Sequence, residues 1–422
     1  MKRLEDPGAF LASLPADATL VLHSGFAEPR GLARALAQHA AAMRRVRVLA
    51  MMPMGEAPYA EPAPAAHLAL HTFFPGKGLR AALDTGRVRA LRHPLSAIPG
   101  LFSCGEWRAD VLMLQVSPPD ETGQVSLGVS VDYMRAVLAQ RPVIVAEINP
   151  RMPRTCGATL LPASSIDWFV DATEGPQEMA PAAADEVDAR IAHNVASLVR
   201  DGAVLQVGIG SLPDRVLGSL GHLRHLGLHS GIVTDAVRPL IESGALDNST
   251  KRTNAGVSIA TMAGGTQAFY DFLHRNPAIG FHPCSATHAA ATLAGIDGLC
   301  AINSVLQVDL GGRSNAETAG GRRIALPGGL PDFATGARRA RGGVSILALR
   351  STAGKSGASS IVARLGDTIT LEADQVDFVV TEYGIASLHA GDAEARAAAL
   401  LAVAHPGHRE TLAQSFAREA GP

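Results

Sequence analysis

A glycine-bearing segment in the middle of the chain has residue types suited to receive a negatively charged ligand. The apolar run 203–207 is followed, in order, by Gly208, Ile209, Gly210, Ser211 and Leu212. The two glycines would let a ligand approach bare backbone, and the N-terminus of a following helix favours negative charge. Ser211 predicts an N-cap, with Asp214 three residues later as in a capping box. The spacing therefore predicts a strand, a tight glycine turn and a helix.

On the residues alone, this pattern also fits an ordinary strand–helix turn. It could further be a degenerate dinucleotide-binding fingerprint, but Pro213 stands where that fingerprint has its third glycine. The fingerprint also places an acid about 20 residues further on, at the end of a second strand, and no clear one is present. A nucleotide-binding oxidoreductase therefore remains a third-ranked interpretation.

Histidines and cysteines gather in two places, but without the spacing that predicts a metal site. The residues are His222, His225 and His229, and then His274, His282, Cys284 and His288. Neither group matches an H-E-x-x-H or a zinc-finger pattern. We therefore expect structural or surface roles for them, and no metal.

The composition argues against several classes of protein. Hydrophobic residues make up 47% of the 422 residues, and 39 acidic side chains nearly balance 37 basic ones. Without an excess of charge, we expect no binding to nucleic acid or to a membrane surface. The sequence shows neither a signal-peptide pattern nor an apolar run of membrane-spanning length. Four dispersed cysteines fit reduced thiols, which favours a cytoplasmic globular enzyme.

Apolar runs alternate with helical periodicity along both halves of the chain. Strands are predicted at 18–22, 46–51, 111–116, 143–146, 203–207, 257–260, 299–303, 344–349 and 378–380, and helices at 31–43 and 191–199. Such alternation is typical of α/β layers built on mainly parallel sheets with flanking helices. Residues 174–188 are rich in proline, alanine and acids, and they predict a connection between two α/β domains, 1–180 and 190–422.

Several motifs, in order along the chain, resemble one family. They are SPPDETGQVSLGVSVDY at 117–133, VGIGSLPDRVL at 207–217, LGLHSGIVTDAV at 226–237, AINSVLQVDLGG at 301–312 and LPGGLPDFATGA at 326–337. These blocks resemble the acetyl-CoA hydrolase/transferase family, which includes 4-hydroxybutyrate CoA-transferases. The resemblance runs over most of the chain. It implies two α/β domains of the class I CoA-transferase (NagB/RpiA-like) type.

One position departs from the family in a way that bears on activity. The family's catalytic glutamate follows a His-Ser pair, and this chain has Gly231 there. In the resembled enzymes that glutamate attacks the acyl-CoA thioester, which is covalent catalysis that a glycine cannot perform. Either water or the acceptor is activated directly, or another carboxylate takes over this role, and the candidates are Glu28, Glu56, Glu147 and Asp235. A side chain at Gly231 would add about 1 kcal/mol of strain if this residue has a positive φ.

The resemblance also implies where CoA or acyl-CoA binds. We predict that the pantetheine end lies over residues 208–212, with a further contact near Leu306. Close backbone approach at Gly328 and Gly329 suits an adenosine phosphate or a thioester. Lys355 could meet a CoA phosphate as a point charge.

Three functions follow, in this order. The first is a CoA-transferase or acyl-CoA hydrolase that acts on a short-chain acyl-CoA, with water or a small carboxylic acid as acceptor. The second is a catalytically inactive CoA-binding protein with a regulatory or assembly role, and the third is the oxidoreductase. The resemblance also implies a homo-oligomer, for which we predict a dimer.

Overall fold

The chain forms two compact units in a computed structural model that describes residues 1–180, 185–354, 356–389 and 392–420. Unit 1 contains residues 1–180, 259–287 and 322–328. Unit 2 contains the described residues of 181–258, 288–321 and 329–422. Two segments from the second half of the sequence thus pack with unit 1. The domain bounds 1–180 and 190–422 stay a prediction.

The helices of the described residues are short, with 4 to 12 residues each. The α-helices are α1 Pro7–Ala12, α2 Arg30–Gln38, α3 Pro62–Ala65, α4 Arg80–Asp84, α5 Ile98–Ser103, α6 Met134–Ala139, α7 Glu186–Ala196, α8 Ser211–Gly218, α9 Arg238–Glu242, α10 Gln267–Leu273, α11 Cys284–Thr287, α12 Ala290–Ala294, α13 Leu330–Arg339, α14 Ala393–Val403 and α15 Arg409–Ala420. Single 3-10 turns lie at Gly25–Ala27, Ala40–Ala42, Pro58–Ala60, Leu95–Ala97, Ala163–Ser165, Asp235–Val237, Ala373–Gln375 and Pro406–His408. Among the described residues, no helix is both long and apolar enough to cross a membrane.

The strands are short as well. They are β1 Lys2–Arg3, β2 Thr19–Leu22, β3 Arg47–Leu49, β4 Ala69–Thr72, β5 Val88–Ala90, β6 Val111–Val116, β7 Gln124–Ser126, β8 Val143–Ile148, β9 Cys156–Gly157, β10 Leu160–Pro162, β11 Trp168–Asp171, β12 Val204–Val207, β13 Gly227–Leu228, β14 Ile232–Val233, β15 Ser258–Ala260, β16 Met262–Ala263, β17 Ile279–Phe281, β18 Leu299–Ser304, β19 Gln307–Asp309, β20 Ser314–Asn315, β21 Thr318–Ala319, β22 Arg322–Arg323, β23 Val344–Ala348, β24 Thr352–Ala353, β25 Ala358–Ser359, β26 Ile361–Val362, β27 Phe378–Thr381 and β28 Gly384–Ser387.

Unit 1 is organised around a parallel sheet with the strand order β1-β11-β8-β6-β2-β3-β4-β5. Its central strands β2 and β6 are buried along their whole length, as expected for a sheet that is covered on both faces. The apolar side of α2, through Leu32 and Leu36, packs with Leu20 and Leu22 of β2 in the core. The carboxyl ends of the strands therefore meet along one edge of a rigid layer.

Unit 2 has a second, smaller sheet with the order β13-β12-β18-β23-β27-β28. Its pairings are parallel, except that β28 returns antiparallel to β27. Helix α13 packs on this sheet through Phe333 and Ala337, which share a core with Val204 and Leu299. The predicted fold class, two α/β units with mainly parallel sheets and flanking helices, is confirmed.

Candidate functional site

The glycine turn lies at the carboxyl edge of the sheet in unit 2. Because β12, β13 and β18 are parallel neighbours, the loops that follow them meet at this edge. The side-chain amides of Gln206 and Asn303 form reciprocal hydrogen bonds of 2.9 and 3.1 Å that join the ends of β12 and β18. The Ser230 hydroxyl donates to the Val207 carbonyl at 3.1 Å and joins the loop after β13 to β12.

The two glycines of the turn have different roles. Gly210 has φ +130°, a conformation that residues with a side chain rarely adopt, so the backbone itself requires glycine. At Gly208 a Cβ would lie 3.9 Å from Pro213 and 4.0 Å from Asn303, so the space beside it is open. Residues 208–210 are all half-buried. The turn thus presents bare backbone that a ligand can reach.

Ser211 does not cap the helix, and that prediction is wrong. Helix α8 begins at Ser211 itself, and its N-cap is Gly210, which has no side chain to accept a hydrogen bond. The helix begins one residue earlier than predicted, because Gly210, with its φ of +130°, leads directly into it. The Ser211 hydroxyl instead donates to Asp188 at 3.4 Å, and Arg350 holds that carboxylate at 2.9 and 3.0 Å.

Asp214 is the other half of the predicted capping box, and it also has a different partner. Its carboxylate accepts a hydrogen bond of 2.6 Å from the Thr234 hydroxyl. This bond ties the first turn of α8 to the segment that follows Gly231. Burial raises the pKa of Asp214 and the neighbouring Asp235 charge raises it further, while the bond from Thr234 opposes both.

Gly231 lies half-buried on the turn after β13. Its φ is outside the left-handed region, so the backbone strain expected for positive φ does not arise here. A Cβ at this position would lie 3.1 Å from Nε2 of His288 and 3.5 Å from Cε2 of Phe333. A side chain at position 231 is therefore limited by packing against these two rings.

His288 is the residue at this site whose position the sequence did not indicate. Its ring packs edge-on against Phe333 with centroids 4.7 Å apart. A Cβ on Gly329 would lie only 2.6 Å from His288 Nε2, so the imidazole fits because both Gly231 and Gly329 lack side chains. Burial, and then the nearby His229, lower the pKa of His288 to about 3. The ring is therefore neutral at neutral pH.

Of the four candidate carboxylates, only Asp235 shares unit 2 with Gly231. It begins a 3-10 turn directly after Thr234 and is half-buried. Glu28, Glu56 and Glu147 belong to unit 1. The structure therefore does not bring the four carboxylates together within one unit.

The three carboxyl groups of unit 1 have different surroundings. Glu28 is buried and accepts a hydrogen bond of 2.5 Å from the Tyr59 hydroxyl. Burial raises the pKa of Glu28 to about 8, partly opposed by that bond, so the group is protonated at neutral pH and is a poor nucleophile. Glu147 accepts from the Gly31 and Leu32 amides at 2.8 and 3.0 Å and so caps α2. Glu56 is exposed.

The other predicted CoA contacts are distributed over both units. Gly329 is the N-cap of α13 in unit 2, and the half-buried Leu306 in the same unit donates its amide to the Asn315 carbonyl at 2.9 Å. Gly328 belongs to unit 1, where its carbonyl accepts from the Leu95 amide at 2.8 Å. Lys355 lies outside the described residues. These contacts, together with residues 208–212, stay predictions.

The two histidine groups of the sequence do not form a metal centre in the part of the chain that the structure describes. There, no three histidine, cysteine, aspartate or glutamate side chains are arranged to hold a metal ion. The buried His229 and His288 instead both pack against Phe333, with ring centroids 6.4 and 4.7 Å from that of the phenylalanine.

Comparison with known proteins gives the family. Residues 11–181 match the acetyl-CoA hydrolase/transferase N-terminal domain, and residues 265–416 match the C-terminal domain of the same name. The 4-hydroxybutyrate coenzyme A transferase of Clostridium kluyveri is 36% identical over 391 residues, which are 92% of this chain and 91% of that protein.

Two solved structures have the same fold along nearly the whole chain. RipA from Yersinia pestis superposes with a TM-score of 0.93 at 30% identity, covering 99% of this chain and 98% of that one. The 4-hydroxybutyrate CoA-transferase of Porphyromonas gingivalis gives a TM-score of 0.85 at 31% identity, with the same coverage of 99% and 98%. The chain therefore belongs to the acetyl-CoA hydrolase/transferase family.

Proposed function

We propose that the protein is a CoA-transferase that moves CoA from a short-chain acyl-CoA to a small carboxylic acid, without a glutamate nucleophile of its own at position 231. The observation that carries this proposal is the place of Gly231. It lies half-buried on the turn beside the glycine loop at the carboxyl edge of the sheet, in a family whose curated relatives are CoA-transferases. Parallel α/β sheets commonly bind their ligands at this edge.

In this proposal the acceptor performs the step that the family's glutamate performs elsewhere. An oxygen of the acceptor carboxylate bonds to the thioester carbonyl carbon, the C–S bond breaks, and its electron pair leaves with the sulfur as CoA thiolate. The thiolate then attacks the acceptor carbonyl of the mixed anhydride, and the donor acid leaves as a carboxylate. The Gly208 amide already donates to the Ile302 carbonyl at 3.3 Å, so the later amides of the glycine turn are the ones suited to donate to the oxyanion that forms in each step.

The neutral His288 favours a carboxylate over water as the acceptor. Attack by water requires a base to remove a proton, and an efficient base has a pKa near the working pH. Burial lowers the pKa of the imidazole beside Gly231 to about 3, so it is a very weak base. A carboxylate reaches the site already deprotonated and needs no base. Hydrolysis should therefore be the slower reaction.

The order of events distinguishes this mechanism from the covalent one. Without an enzyme-bound intermediate, both substrates must be bound together, and initial velocities with acetyl-CoA and 4-hydroxybutyrate should give intersecting double-reciprocal lines. In a single turnover with acceptor labelled with oxygen-18 in its carboxylate, the released acetate should carry one labelled oxygen. Parallel lines with unlabelled acetate would show a covalent enzyme intermediate. CoA binding without turnover would show the second function, an inactive CoA-binding protein.

We further propose a cytoplasmic homodimer. The four cysteines, all within the described residues, form no disulfide with one another, which supports a reducing compartment. The family resemblance supports the dimer, and light scattering is its direct test.

A further inference from the structure

Strand β13, which leads into the Gly231 turn, is an edge strand whose outer side is held by side chains. Leu228 pairs with Leu205 of β12 on the inner side of the strand. On the other side, its amide donates to Oδ1 of Asn248 at 2.8 Å, and its carbonyl accepts from Nζ of Lys251 at 3.0 Å. Two side chains of one loop thus take the place of the missing neighbour strand.

Lys251 is deeply buried for a lysine, with 7% of its surface exposed. Its stem lies over Gly227, where a Cβ would be 3.1 Å from Cγ and Cδ of the lysine. Its ammonium also donates to the Val257 carbonyl at 2.6 Å. Burying an ammonium costs free energy, and an apolar side chain would fill the same space at lower cost. The buried charge at this position therefore indicates that its hydrogen bonds matter.

We propose that Lys251 is a positioning residue for the Gly231 turn, holding β13 so that the attacking carboxylate and the thioester meet in line. This inference rests on the proposed function. Gly231 follows Leu228 by three residues, and its neighbour Ser230 is fixed to Val207. The hydrogen bonds of Leu228 with the side chains of Asn248 and Lys251 form a clamp. This clamp and the bond at Ser230 leave the turn little freedom. A displacement of about 1 Å can lower a rate by up to about 100-fold.

The charge of Lys251 can be removed by raising the pH, so its role can be tested with a pH profile. Burial alone lowers the pKa of Lys251, to about 8. Its stem packs on Gly227, and its ammonium donates to the carbonyls of Leu228 and Val257. The charged residues nearest in sequence have other partners: Asp247 accepts from His225 and Ser249, and Arg252 pairs with Asp297. Above about pH 8 the Lys251 side chain therefore loses its charge.

The test compares Lys251→Met, which keeps the stem, with Lys251→Arg, which keeps the charge. The control is Arg200→Met in the same unit, which removes a cation that donates to the Gly342 carbonyl at 2.9 Å. In Lys251→Met we expect kcat to fall about 10- to 100-fold, with KM for acetyl-CoA changed less than about twofold. The control should keep the wild-type kcat. In wild type kcat should decline above about pH 8, and in Lys251→Arg this decline should disappear.

Amide hydrogen exchange at Leu228 and Gly231 separates a failure of this inference from a failure of the proposed function. If Lys251→Met keeps wild-type kcat per folded molecule, or if the alkaline decline persists in Lys251→Arg, the positioning role is wrong. If wild type turns over no acyl-CoA but exchange at these two amides rises only in Lys251→Met, the clamp stands and the proposed function fails. Unchanged exchange in an inactive protein would overturn both.

Discussion

Replacing Gly231 by glutamate should convert the proposed mechanism into the covalent one. The backbone allows a side chain, because the φ of Gly231 is outside the left-handed region. A carboxylate at this position would supply the nucleophile that the family places there. We expect Gly231→Glu to raise the rate of CoA transfer from acetyl-CoA to 4-hydroxybutyrate by about tenfold or more, or at least about 1.4 kcal/mol of barrier.

Packing against His288 should make the Gly231→Glu variant less stable than the wild type. The new Cβ would lie 3.1 Å from Nε2 and 3.4 Å from Cε1 of that ring. Ordinary carbon contacts are about 3.5–4.0 Å, so the imidazole must move by a few tenths of an ångström. Overpacking of this size should lower the free energy of unfolding by about 1 kcal/mol. His288→Ala removes the contact, so the double variant should show a favourable coupling of about 1 kcal/mol.

The assay combines kinetics, mass spectrometry and urea unfolding. Gly231→Glu should give parallel double-reciprocal lines and a CoA thioester on the protein that borohydride reduces. Gly231→Gln is the matched control: it has nearly the same size, should destabilise the protein equally, and should give no adduct. An adduct mapped to another glutamate in wild type, with none gained in Gly231→Glu, would refute the interpretation of position 231 as vacant. Additive effects of Gly231→Glu and His288→Ala would refute the packing argument.

Three further predictions concern the ligand, the pH response and the assembly. Gly208→Val, for which the structure leaves room at Cβ, should weaken CoA binding about tenfold or more in calorimetry without unfolding α8, and unchanged affinity would contradict the placement of the pantetheine. The folded-state pKa of Glu28 is raised from 4.5 to about 8. The free energy of unfolding should therefore fall by up to roughly 1.4 kcal/mol per pH unit between these values, and remain level above them. Glu28→Gln should remove this slope in urea titrations, whereas an identical slope in both proteins would show that Glu28 is not its source. Light scattering at micromolar concentration should give the mass of a dimer, and a strict monomer would contradict the proposed assembly.

The sheets could be predicted from sequence because buried parallel strands read as uninterrupted apolar runs. The run at 111–116 coincides with β6, and the runs at 203–207 and 344–349 each differ from their strand by one residue. Helix ends were less predictable. The helix expected at 31–43 ends at Gln38, because a separate 3-10 turn, Ala40–Ala42, takes over the last part of the pattern.

The site could be predicted only where its residues are consecutive. The turn at residues 208–210 was found because two glycines and a helix start follow one strand. His288 could not be found in this way, because it is 57 positions from Gly231 in sequence and no local pattern joins them. The same holds for Lys251, whose partners are two carbonyls. Backbone acceptors have no sequence signature, so the sequence alone predicts that a lysine of this kind is a solvated loop residue.

The candidate carboxylates show how the surroundings, rather than the residue type, decide what an acid can do. Glu147 has the buried position expected of a catalytic group, yet one of its oxygens is taken by two amides at the start of α2. Burial raises the pKa of Glu28 to about 8 and keeps it neutral at neutral pH, although the hydrogen bond from Tyr59 opposes this. Nucleophilic attack requires an ionised oxygen, and Glu28 does not meet that requirement at neutral pH. The carboxylate of the acceptor is ionised at neutral pH and needs only space beside the thioester. Gly231 itself carries no carboxylate, and this is the physical reason for assigning the attack to the acceptor.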